Sequence, residues 1–349
     1  MDAPVRDLPR GERGAGGLRV PEPDQATPER PFEHLGRRLL IPLVLGLLAL
    51  VGLALFADAR ALAEQLRAFD LRLLAPVLAL SLVNYALRFG RWQLYLHALD
   101  VGLPQGRSLA IFLVGFLLSV TPGKAGELGK AWLVRELGGG PALRVVPAVL
   151  AERVTDLLGV VLLAALGALP FPGGPWIAAA GLAAVASVVA LLAWRAAAEA
   201  LFRRLEPLRG IGPRVHHLHE LYELLRRLIS PRLLAAGVAL SVVAWGAEGI
   251  GFLLVLRAYD PSAGLAAAVF DYAVSTLLGA ASMLPGGLLA SEGALAALLG
   301  AQGLDPAAAA SATLIIRAAT LWFAVALGLA ALPVVLRWLR RSGQTPTPP

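Results

Sequence analysis

Leu39–Ala57 is a run of 19 residues without a single charge. A helix of that length, rising about 1.5 Å per residue, crosses roughly 30 Å of hydrocarbon. Further apolar stretches recur at Leu73–His97, Val145–Leu169, Trp176–Trp194, Leu233–Leu256 and Ala307–Leu336. The composition agrees: 57% of the 349 residues are hydrophobic and 16% charged, with mean hydropathy +0.70. Soluble domains run at about 45–50% and about 25%. An ordinary soluble domain is excluded. Ala57-Asp58-Ala59 offers a small-residue cleavage site, but the run before it is long and begins late, so it reads as a retained span rather than a leader. With no Cys, the chain has no disulfide, thiolate metal site or Cys nucleophile.

Two further stretches do not read as simple spans. Ser108–Leu137 is broken by Pro122-Gly123, and Gly264–Gly303 by Pro285-Gly286-Gly287. Each arm of the first is too short for a bilayer that needs about 20 residues, so it reads as a re-entrant hairpin whose irregular backbone is shielded by protein or a wet cavity. The longer first arm of the second leaves a full span open there. The expected fold is an all-α polytopic membrane protein, with about six full spans and two re-entrant broken-helix hairpins. Residues 1–36 and 342–349 read as disordered tails, and 37–341 as one transmembrane domain.

The net charge of +7 would suggest nucleic acid in a soluble protein. Its placement argues otherwise. The N-terminal tail through Arg38, the loop 195–232 and the C-terminal tail together hold 18 Arg, against four (Arg60, Arg67, Arg72 and Arg257) on the opposite face. That asymmetry puts both termini in the cytoplasm of a cell (inner) membrane protein, with anionic lipid headgroups as neighbours. The loop 195–232 has helical Leu spacing among its Arg, interrupted by Pro207 and Pro213, and reads as an amphipathic helix on the membrane surface.

Ser119-Val-Thr-Pro122-Gly123-Lys124-Ala-Gly126-Glu127 parallels Ser282-Met-Leu-Pro285-Gly286-Gly287, which reaches Glu292. Arg153 lies 26 residues after Glu127, and Arg317 lies 25 after Glu292. Under the topology above the two hairpins enter from opposite sides, the inverted-repeat architecture of many secondary transporters. Ionisable groups at membrane depth cost about 2.5–3.5 kcal/mol each on insertion scales and face partners or cavities. The candidates are Lys124, Glu127, Lys130, Glu152, Arg153, Asp156, Glu248, Asp271, Glu292 and Arg317. The functional reading is an anion site between the breaks at Pro122, Gly123, Gly126, Pro285, Gly286 and Gly287. There Lys124, Arg153, Arg317 and helix N-termini suit a phosphate, and Glu127 and Glu292 sit in the first turns of the return helices. The plain structural alternative is a set of helix-packing ion pairs, favoured for Glu248 and Asp271, which have no counterpart in the repeat. Lys130 and Arg135 read as snorkelling to the headgroups, and Arg91-Trp92 with Tyr95 as an interfacial anchor beside Asn84 and Arg88.

His216-His217-x-His219 reads as a solvated helix face, with no metal site. No G-x-S-x-G, H-E-x-x-H or Walker loop is present in the sequence. No cofactor is expected, and the chain reads as a non-enzyme. Without a nucleotide site, transport would be passive or driven by an ion gradient.

Pro122-Gly123-Lys124-x-Gly126-Glu127, Glu152-Arg153-x-x-Asp156 and Leu284-Pro285-Gly286-Gly287 with Ser291-Glu292-Gly293 resemble the lysylphosphatidylglycerol synthase transmembrane family, over about residues 38–340. The resemblance implies a flippase-like domain moving an anionic or modified phospholipid between leaflets. Carried over by position, the substrate-binding residues would be Lys124, Glu127, Glu152, Arg153, Asp156, Glu292 and Arg317. The soluble aminoacyl-transfer domain of full synthases has no counterpart here, so a stand-alone member is expected. Leu288-Leu289-Ala290 stands where the family often has a further Gly. Two other classes stay open: a scaffold for a lipid-modifying enzyme partner, and an intramembrane lipid-phosphate enzyme using Glu127, Asp156 or Glu292.

Overall fold

The computed structural model describes residues 35–206 and 212–342. The expected tails lie almost wholly outside the described residues, as does Pro207. Leu35–Ala57 forms α1, and Asp58 then caps α2 (Ala59–Ala68) by accepting from the Arg60 and Ala61 amides. The two helices meet at 102°. This amphipathic α2 was not foreseen; its Leu62 packs beneath Leu53 and Ala57 against Ala296, Ala307 and Ala310.

A one-turn 3₁₀ segment (Leu71–Leu73) leads into α3 (Leu74–Ala98). The first broken stretch follows as α4 (Gln105–Ser119), a 3₁₀ segment Pro122–Leu128 and the eight-residue α5 (Gly129–Glu136). Next come α6 (Ala142–Ala168) and α7 (Gly174–Ala193). The basic loop folds as α8 (Arg195–Leu205) and α9 (Gly212–Leu228), and Pro213 falls in the first turn of α9, where a missing N–H is harmless. The helix α9 packs on α6 as well as on α8, so it is seated on the bundle.

The helix α10 (Pro231–Leu256) precedes the second broken stretch: α11 (Leu265–Ala281), a 3₁₀ turn Pro285–Gly287 and α12 (Ala290–Ala301). The chain ends in α13 (Pro306–Arg317), a π-helical turn Ala318–Trp322 and α14 (Phe323–Ser342).

The described residues contain no strand. Among the described residues, four helical stretches are long and apolar enough to cross a bilayer: Leu71–Ala98, Gly174–Ala193, Pro231–Leu256 and Pro306–Ser342. A fifth counts if the bent α1–α2 pair is one span. The helix α6 is as long as these, but Glu152, Arg153 and Asp156 interrupt its apolar length.

The centre of the bundle is α3, α6, α10 and α11 packed side by side, with α4 against α14 and α12 against α11 and α13. Small residues bring α6 close to its neighbours. A side chain at Gly167 would meet the backbone of Ala266 and Phe270 on α11 at about 2.9–3.0 Å. The apolar core gathers Val77, Phe252, Leu295, Leu299 and Ile316. Around it, α7 turns Trp176 and Trp194 outward at its two ends, as aromatic residues sit at membrane–water boundaries.

Candidate functional site

The two breaks meet. The Gly123 amide donates to the Met283 carbonyl at 3.0 Å, joining the turn of one hairpin to the approach of the other. Gly123 and Gly286 stand at φ +59° and +63°, a left-handed conformation that glycine adopts at no steric cost. A cavity of about 410 Å³ opens where the breaks touch α1, lined by Ile41, Pro42, Val120, Thr121, Ala125, Gly126 and Pro285. Thr121 steadies the first break, its hydroxyl donating to the Leu118 carbonyl and accepting from the Gly126 amide.

Each hairpin glutamate pairs with the arginine of the helix that follows. Arg153 lies 3.0 Å from Glu127 and Arg317 lies 2.6 Å from Glu292. Arg317 also donates to the Gly286 carbonyl at 2.8 Å, closing its own break. Glu292 sits in the first turn of α12, but Glu127 lies in the 3₁₀ segment rather than in an α-helical first turn, a correction to the expected symmetry. Three glycines within Pro122–Gly129 favour the tighter segment over an immediate α-helix. The side chain of Lys124 lies outside the described residues.

Asp156 is a hub. Arg91 binds it at 2.7 Å, Arg153 at 3.5 Å and Arg88 at 3.7 Å, and the Trp245 indole donates to it at 3.1 Å. Arg91 also donates to Ser241 and is fully buried. The guanidinium of Arg88 lies between the rings of Phe116 and Trp245, 5.3 and 5.6 Å from their centroids. The expected interfacial anchor is therefore overturned: Arg91, Trp92 and Tyr95 are 0% exposed and belong to the interior. Ser81, Asn84, Arg88, Arg91 and Tyr95 recur every three or four residues and share one face of α3. That polar stripe is the sequence signal of an interior face rather than of a membrane boundary.

Lys130 is likewise interior. It does not snorkel: its ammonium sits 2.6 Å from Glu152 and 4.5 Å from the centroid of Trp92. A buried lysine with a carboxylate and a ring face at hand has its charge compensated without reaching the headgroups. Arg135 stays exposed and pairs with Glu136 at 2.7 Å.

Glu248 accepts from the Tyr272 hydroxyl at 2.6 Å, and Asp271 accepts twice from the Gln302 amide at 2.8 and 2.9 Å. Neither carboxyl pairs with a cation among the described residues. The Tyr85 hydroxyl donates at 2.6 Å to the Thr320 carbonyl, in the π-turn immediately after Arg317. Such turns expose carbonyls and recur at functional sites. His216, His217 and His219 lie on the exposed face of α9.

The site residues thus fall into three linked groups: Glu127–Arg153–Asp156 with Arg88 and Arg91, Lys130–Glu152, and Glu292–Arg317. The motifs that carry them lie within residues 43–328, which match the family model described as lysylphosphatidylglycerol synthase TM region. A protein of Methanothermobacter thermautotrophicus (strain Delta H) described as UPF0104 membrane protein is 25% identical over 328 residues, covering 86% of this chain and 96% of the relative.

Proposed function

Because the chain belongs to the lysylphosphatidylglycerol synthase TM region family, we propose that it is a lipid translocator that passes an anionic or modified phospholipid headgroup between leaflets of the cell (inner) membrane. The observation that carries this reading is the meeting of the two breaks through Gly123 and Met283, with an arginine–glutamate pair on either side. In the proposed arrangement six spans and two re-entrant hairpins form an inverted repeat, with both termini cytoplasmic. The hairpins enter from opposite faces, and the headgroup phosphate lies between their tips. Arg153 is about a quarter exposed. It exchanges Glu127 for the phosphate, which a guanidinium binds bidentately.

Glu127, Glu152, Asp156 and Glu292, the carboxylates of the seam between the two breaks, each serve as counter-ion to a cation, which supports binding and transport over acid–base chemistry. A cavity walled partly by α1 supports a route by which the acyl chains stay in lipid while the headgroup crosses.

The test is leaflet exchange of labelled phosphatidylglycerol and phosphatidylcholine in liposomes holding the purified chain, wild type beside Arg153→Ala. Exchange that prefers the anionic lipid and depends on Arg153 is expected. Intact folded protein that exchanges neither lipid would overturn the reading and favour the scaffold.

A further inference from the structure

Ten ionisable side chains are buried or half-buried around the breaks: Arg88, Arg91, Lys130, Arg153 and Arg317 against Glu127, Glu152, Asp156, Glu248 and Glu292. Each of the five cations already lies within 3.7 Å of a carboxylate: Arg88, Arg91 and Arg153 of Asp156, Lys130 of Glu152, and Arg317 of Glu292. Four of the carboxylates have a cation within 3.0 Å, namely Glu127 with Arg153, Glu152 with Lys130, Asp156 with Arg91 and Glu292 with Arg317. Glu248 differs, because its close partner is the neutral phenol of Tyr272.

Donors stand ready for one more anion. The Arg88 Nε, Arg91 Nε and Nη2, Arg153 Nε and the Asn84 amide nitrogen are donors buried without a hydrogen-bond partner among the described residues, beside the acceptor oxygens Asn84 Oδ1, Asp156 Oδ2 and Glu292 Oε2. An anion entering among cations that are already paired displaces a carboxylate from its partner, and a buried charge left uncompensated is costly. A proton arriving with it removes that cost.

We infer that Glu248 is the proton-carrying group of this protein: it takes a proton from solvent when an oxyanion binds the arginine seam and releases it when the anion leaves. This rests on the anionic-headgroup reading above and adds the coupling ion. The groups facing Glu248 suit the task on every packed element. Tyr85 and Arg88 lie on α3, Asp156 on α6, Tyr272 on α11 and Arg317 on α13. Glu248 thus feels Arg317 of the second hairpin's ion pair and Arg88 of the Asp156 hub, with neither in an ion pair with it among the described residues. Protonation removes its negative charge, and Tyr272 can still donate to the carboxyl oxygen. Asp271, by contrast, is fully buried against Gln302, with no charged group acting on it. It serves as a control carboxyl.

The measurement is calorimetry of the full chain in phosphatidylcholine nanodiscs, in two buffers of different ionisation enthalpy. The titrants are glycerophosphoglycerol, a soluble phosphodiester headgroup, and inorganic sulfate. Wild type should take up about one proton per anion bound, and its affinity should fall as pH rises, by up to about tenfold per unit. Glu248→Gln should take up none and bind with a flat pH profile, while Asp271→Asn behaves as wild type. Tighter binding of glycerophosphoglycerol identifies a lipid headgroup, and tighter binding of sulfate a free anion; proton uptake with either supports the inference. Wild-type binding without proton uptake overturns it alone, whether or not Glu248→Gln folds, as does unchanged uptake in Glu248→Gln. Absence of binding by both anions overturns the inference together with the headgroup site.

Discussion

Arg153 and Arg317 each reach back to a glutamate that follows a Pro-Gly break, at 3.0 and 2.6 Å, yet they are held differently. Arg317 is clasped, with Glu292 on one nitrogen and the Gly286 carbonyl on another, and its side chain is 14% exposed. Arg153 is 26% exposed and divides itself between Glu127 and Asp156, a carboxylate already claimed by Arg88 and Arg91. Three residues after Arg317 the chain has Thr320 instead of an acid, and its backbone carbonyl is taken by Tyr85. The two arginines therefore share a motif but not a setting. Arg317 is held to Glu292 and to the carbonyl of its own break, and Arg153 sits between two carboxylates, so under the proposed function Arg153 is the arginine that a ligand draws away.

The largest effect should come from the first region, at the hub. Asp156→Ala strands the fully buried Arg91 beside Arg88 and Arg153, and losing one partner of a buried pair costs about 3–5 kcal/mol. Little monodisperse protein should survive size-exclusion chromatography. Asp156→Asn, which can still accept from Arg91 and Trp245, should keep more. Arg317→Ala comes next, at about 3 kcal/mol, because it leaves Glu292 buried without its cation. The melting temperature should drop, and adding Glu292→Gln should recover part of it. A double variant no more stable than the single one would break the clasp interpretation.

Arg153→Ala reverses the balance of effects. Glu127 is as buried as Glu292, but Arg153 is more exposed than Arg317 and is not held by its own break, so its loss should cost less, about 1–2 kcal/mol. Lipid exchange, however, should fall roughly tenfold or more, the factor that corresponds to about 1.4 kcal/mol. If Arg153→Ala instead unfolds the protein as readily as Arg317→Ala, the two hairpins are equivalent and the division of labour is wrong.

Much of this was legible in the sequence because its signals were local and strong. Pro122-Gly123 and Pro285-Gly286-Gly287 mark the helix ends within a few residues, since proline cannot continue a helix and glycine relieves the turn. The Glu–Arg spacing of 26 and 25 residues anticipates which arginine of the following helix meets which hairpin glutamate. Partners that depend on helices far apart in the chain were not legible. Arg91 finds Asp156 across 65 residues and Ser241 across 150, and an Arg-Trp pair near a helix end looks the same in sequence whether it faces headgroups or a core. Lys130 was misread for the same reason, because only the fold brings Glu152 and Trp92 to it. The α2 helix escaped because its ten residues are too short and polar to stand out from a loop until Leu62 is seen to be buried.

The smallest effects test the breaks themselves. Gly123→Ala and Gly286→Ala both force alanine into positive φ, which costs about 1 kcal/mol. Their surroundings then separate them. A methyl at Gly123 meets only the end of the flexible Met283 side chain, at 2.6 Å, which can swing aside. At Gly286 it meets Leu321 and the buried Val120 at 3.3 Å, on a residue whose carbonyl is held by Arg317. Gly286→Ala should therefore lower the melting temperature more than Gly123→Ala. Gly123→Ala keeps the amide that donates to Met283 but crowds that residue's side chain where the two breaks meet, so it should slow exchange with little loss of stability. Measuring both melts beside both exchange rates separates a break that must hold its shape from one that must meet its partner. Equal losses in both quantities would mean that the hairpin tips act as a single rigid unit.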